Sequence, residues 1–330
     1  MPFAGALISL PFYMKFLADR RSPKVIILVV VLFQSLLSFI SPITAKLSFI
    51  AFLVIRFFIG VAEISFGVAT YFVSFLSTIG LTWEYAFYIF GVLGILFLIP
   101  WFFFVTDTPN QNRFISKEEE HYLFGVIRHP TKNRTPAPWK DMFTSSVIYT
   151  HILCMIGFYF AIGVTSNFLP MYFDSELNVS VSRSGWYTLL PFVAQIGSKL
   201  LAGMLADIGI EKGIVTPTTT TKINQSIGLT FACCACGFYT SMTLIAPRFT
   251  GSVSAQITLV GVIANLMPTA TYLILNSFDI SSKFIILFAI SAALQVLSGI
   301  VYLIWGTAQE QSWAKLPAVP LTVLGDKIVQ

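Results

Sequence analysis

Nine stretches of this chain are apolar enough to enter a lipid bilayer, and that pattern restricts the fold more than any other feature. A helix needs about 20 apolar residues to cross the hydrocarbon core of a membrane. The stretches cover residues 1–18, 25–44, 47–82, 85–105, 147–170, 184–206, 224–246, 252–275 and 282–305. We therefore predict an all-α, polytopic membrane protein embedded in a lipid bilayer.

The composition argues against other classes of protein. With 56% apolar and 11% charged residues, the chain lies far from an ordinary soluble domain. The four cysteines all lie in apolar stretches without a second metal-binding pair or a histidine cluster, so we predict no metal site. The net charge of +5 resides in short loops, which argues against a nucleic-acid partner. No nucleophile–base constellation indicates an enzyme.

The longest polar stretch, residues 106–146, divides the chain into two halves. Its lysines and arginines predict that it faces the cytoplasm, and Ser116–Glu119 has the spacing of a capping box before a short amphipathic helix. The predicted parts are an N-terminal helical half (1–105), this central loop, a C-terminal helical half (147–306) and a cytoplasmic tail (307–330).

This orientation places the loop after residue 170 outside the cytoplasm. The loop contains Asn178-Val179-Ser180, the acceptor pattern for N-glycosylation. Asn178 is therefore a candidate glycosylation site.

The tripeptide Leu-Ala-Asp occurs at the end of two apolar stretches, once in each half. The first copy lies in Phe16–Lys24, which ends in basic residues, and the second lies in Gly203–Asp207. A carboxylate at a helix end can contact basic residues or the N-terminus of a neighbouring helix. Repeated halves that hold the substrate between them are a common transporter architecture. Making and breaking such a contact would latch one conformation.

The first copy resembles the motif G-x-L-A-D-R-x-G-R-K of the major facilitator superfamily. Asp19, Arg20 and Lys24 match the motif, and the second copy keeps Gly203 and Asp207. The resemblance implies a helical bundle with pseudo-symmetric halves, in which these five residues form a conformational latch.

Shorter segments, spread over residues 10–315, resemble solute carrier family 17 in the family's order. They are Trp83–Gly91, Asp107–Pro109, Ile115–Glu119, Pro138–Lys140, Phe143–Ser145, Leu189–Pro191, Gln225–Gly228, Ile245–Arg248 and Gly306–Ala314. This family contains anion and phosphate cotransporters. The resemblance implies inorganic phosphate or a small organic anion as substrate, with Na⁺ or H⁺ as the coupling ion and no other cofactor.

Two ionisable residues, Arg56 and Glu63, lie inside the apolar stretch 47–82. Seven residues make almost two helical turns, so the two side chains share a face about 10 Å apart. Such charges are costly at membrane depth and are seldom kept without a function. A guanidinium can hold an anion and a buried carboxylate can exchange a proton, although a pair that only ties helices together is the alternative. With Gly60, the pair matches the R-x-x-x-G-x-x-E pattern of the family, which implies anion binding at Arg56 and proton or cation coupling at Glu63.

Three further polar residues lie inside apolar stretches. Asn265 precedes Pro268, where a kink and a freed carbonyl would line a cavity, so Asn265 is a candidate substrate-binding residue. Lys199 lies two turns from Asp207 and is predicted to extend toward the surface. His151 lies near the start of the fifth stretch and is predicted to be interfacial.

The chain departs from the family at several places. Vesicular glutamate transporters carry a second arginine in the helix aligned with 149–173, where this chain has Phe158, and this argues against glutamate as substrate. The family's first helix has no counterpart in the sequence, and the stretches 47–82 and 224–246 are short. We expect an incomplete bundle of about nine apolar segments where the family has twelve.

The number of membrane crossings also indicates an incomplete bundle, without reference to the family. If the basic turn at 19–24 is inside and 47–82 crosses once, then 85–105 ends outside, against the bias of the central loop. The stretch 47–82 is therefore predicted to fold as a compressed hairpin or re-entrant pair. A single span at 224–246 would likewise leave Arg248 outside.

The sequence thus predicts secondary active transport of an anion by a multi-pass protein of the plasma membrane or of an intracellular vesicle. The competing interpretation is a truncated or mis-spliced membrane paralogue that does not transport and acts by association with an intact paralogue.

Overall fold

The computed structural model describes residues 23–47, 50–55, 82–106, 111–112, 114–126, 137–231 and 235–315. The described chain folds into helices α1 (Pro23–Leu47), α2 (Trp83–Phe104), α3 (Lys117–Val126), α4 (Trp139–Thr144), α5 (Ser146–Gly163), α6 (Leu169–Ser175), α7 (Val181–Glu211), α8 (Pro217–Phe231), α9 (Ala235–Ile245), α10 (Thr250–Ser277) and α11 (Lys283–Trp305). A π-helical turn, Val164–Phe168, joins α5 to α6. A 3₁₀ turn at Ser312–Ala314 lies in the tail.

Six spans in the described residues are long and apolar enough to cross a membrane. They are Lys24–Leu47, Glu84–Phe104, Ser146–Ser175, Arg183–Glu211, Thr250–Ser277 and Lys283–Trp305. These spans correspond to six of the nine apolar stretches, and the prediction of an all-α, polytopic fold is confirmed. The stretch 1–18 and most of 47–82 lie outside the described residues.

In the N-terminal half, α1 and α2 pack side by side in opposite directions. At one end of the pair the Lys24 Nζ donates to the Phe102 carbonyl at 2.9 Å. At the other end Lys46 forms an ion pair with Glu84 at 3.0 Å. The chain therefore leaves α1 and enters α2 at the same end of the pair. With Lys24 inside, α2 ends inside, as the basic central loop requires.

The central loop contains α3, which begins directly after Ser116. The Ser116 Oγ accepts a hydrogen bond from the Glu119 backbone N–H at 3.1 Å, as an N-cap does. Three glutamates fill the first turn, where negative charge is favourable near the helix N-terminus. The helix predicted from the capping pattern is therefore present.

In the C-terminal half, α5 packs against α10 and α11 around a buried core. The inner part of this core includes Met155, Phe158, Ile257 and Tyr302. A second buried cluster, around Phe160, Phe168, Phe284 and Leu287, lies where α5 passes into the π-helical turn. The two clusters make α5 the central helix of this half.

The stretch 224–246 forms parts of two short helices that fold back on each other. A Cβ built on Gly237 of α9 would lie 2.5 Å from the Thr221 carbonyl oxygen and 2.8 Å from the Gln225 backbone nitrogen of α8. In the described residues α8 and α9 have 15 and 11 residues, about 22 and 16 Å, which is shorter than a hydrocarbon core of about 30 Å. Instead of the single span considered for 224–246, this part of the chain therefore forms a re-entrant hairpin, α8–α9.

The tail shows that both outer ends of the hairpin lie on one side. The Ala308 N–H donates to the Thr218 Oγ1 at 3.1 Å, near the start of α8. The Gln311 N–H donates to the Ile245 carbonyl at 2.9 Å, at the end of α9. Arg248 therefore lies at the same end of the bundle as the tail, and the conflict that a single span would create with the positive-inside rule disappears.

Candidate functional site

A cavity of about 430 Å³ lies between α7 and the re-entrant hairpin, with one residue contributed by α5. Its wall combines a cation, a carboxylate, hydroxyls, an amide and aromatic rings. The lining residues are Phe158, Lys199, Gly203, Ala206, Asp207, Ile210, Pro217, Thr220, Thr221, Asn224, Tyr239, Thr240 and Leu244. A volume of this order suits a small organic or inorganic solute.

Lys199 places a positive charge in the middle of a membrane-spanning helix. It lies 18 residues after the start of α7 and 12 before its end, about 27 and 18 Å along the axis. Its half-buried ammonium donates to the Gln195 Oε1 at 3.0 Å and lies 5.5 Å from the centre of the Phe158 ring. The sequence predicted that Lys199 extends toward the surface, whereas the structure places it in the cavity wall.

Phe158 stands where vesicular glutamate transporters carry a second arginine, a difference that argues against glutamate as substrate. The structure brings the Lys199 ammonium over that ring from the neighbouring helix α7. A cation is therefore present at this level of the C-terminal half, although it comes from a different helix.

Gly203 and Asp207 lie on the same cavity wall, nearer the end of α7. Asp207 is eight residues beyond Lys199, about 12 Å along the axis. A Cβ built on Gly203 would meet no atom within 4 Å, so the wall is open at this point. Both residues of the second latch copy thus line the cavity, and the latch itself stays a prediction.

Hydroxyl and amide groups form the hairpin side of the cavity. The Thr220 Oγ1 donates to the Thr216 carbonyl at 3.0 Å, and the Thr221 Oγ1 donates to the Thr218 carbonyl at 2.9 Å. These local bonds let the hydroxyls reorient without leaving a backbone group buried and unpaired. Asn224 and Thr240 complete this polar wall.

A second polar cluster lies behind the hairpin wall and ties three helices together. The His151 Nε2 on α5 is 2.6 Å from the Ser241 Oγ on α9, and the Tyr302 hydroxyl on α11 donates to the same Oγ at 2.6 Å. His151, Ser241 and Tyr302 each have no exposed surface. His151 lies one turn inside α5 and is covered by α9 and α11, and the interfacial position predicted for it stays a prediction.

The remaining candidate residues lie elsewhere. Arg56, Glu63, Asp19 and Arg20 are outside the described residues. Lys24 contacts the Phe102 carbonyl and ring on α2, far along the chain from the second latch copy.

Asn265 and Asn178 are both described, and neither lines the cavity. Asn265 is 1% exposed and packs against Gly163, where α5 meets α10, and its carboxamide atoms have no hydrogen-bond partner among the described residues. Asn178 is exposed between α6 and α7 with φ of 50°, a left-handed conformation that asparagine tolerates. Their roles in substrate binding and glycosylation stay predictions.

Sequence reasoning underestimated Lys199 and His151 for different reasons. Lys199 is a charged residue in an apolar stretch, which by itself indicates function. Because it lies near the end of that stretch, we predicted only that its ammonium extends toward the surface. For His151 the sequence contains no comparable signal, because Ser241 and Tyr302 are 90 and 151 residues away.

A family model and solved structures are similar to this chain. The family model described as Major Facilitator Superfamily matches residues 63–301. A solved D-xylose–proton symporter is similar at 16% identity with a TM-score of 0.40, over 93% of this chain and 77% of that one.

Several curated relatives are transporters of anions by name. Sodium-dependent phosphate transport protein 3 of Mus musculus is 27% identical over 265 residues, which is 71% of this chain and 55% of the relative. Sodium-dependent phosphate transport protein 1 of Homo sapiens is 27% identical, over 71% of this chain and 57% of the relative. The probable small intestine urate exporter of Homo sapiens is 27% identical, over 72% and 54%.

The chain therefore spans a little over half the length of these curated relatives. Their names confirm the resemblance to solute carrier family 17 that the short segments indicated. The family model covers well over half of the chain, within a helical, multi-pass structure. The protein belongs to the major facilitator superfamily.

Proposed function

We propose that the protein is a secondary active transporter of small anions, coupled to sodium ions or protons, that works by alternating access. The observation that carries this proposal is Lys199, an ammonium half-buried in a cavity of about 430 Å³ at the middle of a membrane-spanning helix. The phosphate and urate in the names of the relatives are both anions, which supports a negatively charged substrate.

A charge inside a membrane is costly unless a partner stabilises it. A lysine near the centre of a spanning helix costs about 2.5–3.5 kcal/mol on insertion scales. Lys199 reduces that cost through the Gln195 carboxamide and the face of Phe158. An anion that enters the cavity would lie beside this ammonium and be attracted to it, and the hairpin hydroxyls can turn to donate to the anion.

The residues proposed for the N-terminal part of the site are identified from the sequence alone. Arg56 is proposed to hold the anion from the N-terminal half, and Glu63 to exchange the coupling proton or cation. Alternating access would then expose the anion to either side of the membrane between two positive groups. Inorganic phosphate or a small organic anion is the proposed cargo, and the proposed location is the plasma membrane or the membrane of an intracellular vesicle.

The test is uptake by the purified full chain in proteoliposomes, with labelled phosphate and labelled urate offered separately. Sodium and proton gradients are imposed one at a time, so the gradient that drives uptake identifies the coupling ion. We expect uptake above protein-free liposomes under at least one gradient. Properly folded protein that shows no uptake of either anion under either gradient would contradict the proposal and favour a paralogue without transport activity.

Substitutions that remove or keep the charge at Lys199 test whether the uptake depends on this cavity. Lys199→Gln is expected to raise the KM for the anion at least tenfold, because it removes the cation and keeps a side chain of similar length. Lys199→Arg keeps the charge and is expected to retain most of the affinity. Lys212→Gln, at the exposed C-terminal end of the same helix, is the matched control and should leave the KM unchanged.

A further inference from the structure

His151 has a hydrogen-bond partner on each ring nitrogen, and the partners differ in kind. The His151 Nδ1 is 2.8 Å from the Val147 carbonyl oxygen, which can only accept a hydrogen bond. Nδ1 therefore carries a hydrogen. The Nε2 faces the Ser241 hydroxyl at 2.6 Å, a group that can donate or accept.

In the neutral imidazole, every polar group of the cluster is satisfied. The Tyr302 hydroxyl donates to the Ser241 Oγ, the Ser241 hydroxyl donates to the His151 Nε2, and the His151 Nδ1–H donates to Val147. Each hydroxyl hydrogen is used once. The chain of bonds joins α11, α9 and α5 in that order.

A second proton can be accommodated with a single rotation. If Nε2 gains a hydrogen, it donates to the Ser241 Oγ, and the Ser241 hydroxyl turns to the Phe238 carbonyl oxygen, 3.0 Å away. The Tyr302 hydroxyl still donates to the second lone pair of the Ser241 Oγ. The proton comes from a hydronium ion of the surrounding water, which leaves as neutral water, and within the protein only the hydrogen bonds of the Ser241 hydroxyl change. The cluster thus accepts one proton without leaving a buried polar group unpaired.

The cluster lies directly behind the polar wall of the cavity. Tyr239 and Thr240, which precede Ser241 on α9, line the cavity, as does Thr221 on α8. His151 and Phe158 are seven residues apart on α5, so they share a face about 10 Å apart. The Lys199 ammonium lies over that same Phe158 ring.

The elements packed around His151 supply few groups that can carry charge. Those groups are Cys154 on α5, Tyr239 on α9, Tyr302 on α11, Lys140 and Asp141 on α4, Arg248 before α10, and Glu310 and Lys315 in the tail. Thiols and phenols are neutral below about pH 8, and the α4 side chains and Lys315 are exposed at the end of the bundle. An imidazolium at this position and the Lys199 ammonium repel each other, and an anion in the cavity attracts both.

We propose that His151 binds the proton that accompanies the anion, so that proton and anion bind cooperatively on either side of the hairpin wall. This inference rests on the proposed function and assigns a coupling ion and a second coupling residue to it. Binding cooperativity is reciprocal: a proton on His151 strengthens anion binding by the same factor as the anion strengthens proton binding. The transported unit would then be an anion together with one proton.

The experiment measures equilibrium binding of labelled urate to the purified full chain in lipid nanodiscs between pH 6 and pH 8. Urate is the probe because inorganic phosphate changes its own charge over this range. We expect the affinity of the parent protein to rise about tenfold as the pH falls, a size typical of coupling between two sites. A pH indicator in weak buffer should record proton uptake when urate binds at the upper end of the range.

His151→Gln should bind urate with an affinity that does not depend on pH and with no proton uptake. His121→Gln, at an exposed position on α3, is the matched control and should keep the pH dependence of the parent. His151→Asn is the second variant if the glutamine variant has a lowered melting temperature, since its amide can still donate to Val147.

The outcomes separate the two proposals. If His151→Gln and His151→Asn keep the full pH dependence, His151 is not the proton site, while anion transport stands. If the parent binds urate equally at every pH and takes up no proton, the inference is also overturned. If the parent binds neither urate nor phosphate at any pH and transports neither, the proposed function fails and the inference fails with it.

Discussion

The α1–α2 pair and the C-terminal half are held together by different kinds of contact. In an apolar 18-residue window of the Ser146–Ser175 span 61% of the residues are buried within the protein, whereas in that of Glu84–Phe104 the share is 6%. The pair is joined by polar contacts near its ends and by a hydrogen bond from Ser38 to the Phe87 carbonyl between them, and the C-terminal half by buried clusters and a three-helix hydrogen-bond chain. The comparison teaches that strong apolar character predicts insertion in a membrane and not burial inside the protein, because lipid can cover a helix as well as protein does.

The two regions also differ in the polar and charged groups that they bring together. In the C-terminal half, a cation, a carboxylate and a buried histidine converge around the re-entrant hairpin. In the described part of the N-terminal half, the Lys46–Glu84 ion pair has one partner that is 66% exposed. Exposed ion pairs contribute little to stability, whereas buried polar groups are costly to leave unpaired. Substitutions in the two regions should therefore differ in size.

The largest effect on stability is expected for Ser241→Ala on α9. The change leaves the His151 Nε2 buried without its partner, at a cost of about 1–3 kcal/mol, and it leaves the Tyr302 hydroxyl only the longer contact with the Gly237 carbonyl at 3.4 Å. Thermal unfolding in detergent, followed by circular dichroism, measures the shift in melting temperature. Thr243→Ala on the same helix removes an exposed hydroxyl that bonds the Thr240 carbonyl, and it should shift the melting temperature far less. Equal shifts for the two variants would contradict the buried three-helix cluster.

A smaller but clear loss is expected for Gly237→Ala in the hairpin. The added methyl group would lie 2.5 Å from the Thr221 carbonyl oxygen, so α8 and α9 have to separate, at a cost of about 1–3 kcal/mol. The matched control is Gly203→Ala on α7, where the added group meets no atom within 4 Å and alanine favours the helix. If Gly237→Ala is as stable as Gly203→Ala, the close approach of the two hairpin helices is wrong.

The smallest effect is expected for Glu84→Gln at the start of α2. An exposed ion pair is worth about 0.2–1 kcal/mol, so the loss of the contact with Lys46 should barely change the melting temperature. High salt should abolish the difference from the parent, because it screens exposed charges. A loss comparable to that of Ser241→Ala would show that the α1–α2 pair depends on this contact as the C-terminal half depends on its buried cluster.

Much of the fold follows from the sequence, since six apolar stretches reappear as long helices and Ser116 marks the start of α3. The hairpin does not follow, because an apolar segment has the same composition whether it crosses a membrane or turns back within it. What distinguishes the two is Gly237, whose lack of a side chain lets α9 approach α8, and the tail contacts at Thr218 and Ile245. Those contacts join residues about 65–90 positions apart, which local patterns do not reveal.

The candidate site was predictable only in part. Gly203 and Asp207 were identified from an internal repeat, and both line the cavity. Lys199 was visible as a charge in an apolar stretch, but its place over Phe158 depends on how α7 packs against α5. The functional assignment of Arg56 and Glu63 is based on their spacing and on the resemblance to the family, and it stays a prediction.

The most direct test of the central claim is a high-resolution electron cryomicroscopy structure of the full chain in nanodiscs with saturating urate. The account predicts density for the anion inside the cavity between α7 and the hairpin, within hydrogen-bond distance of the Lys199 Nζ, with loss of that density in Lys199→Gln. A Lys199 ammonium that points to lipid headgroups or bulk solvent, with no anion beside it, would contradict the account.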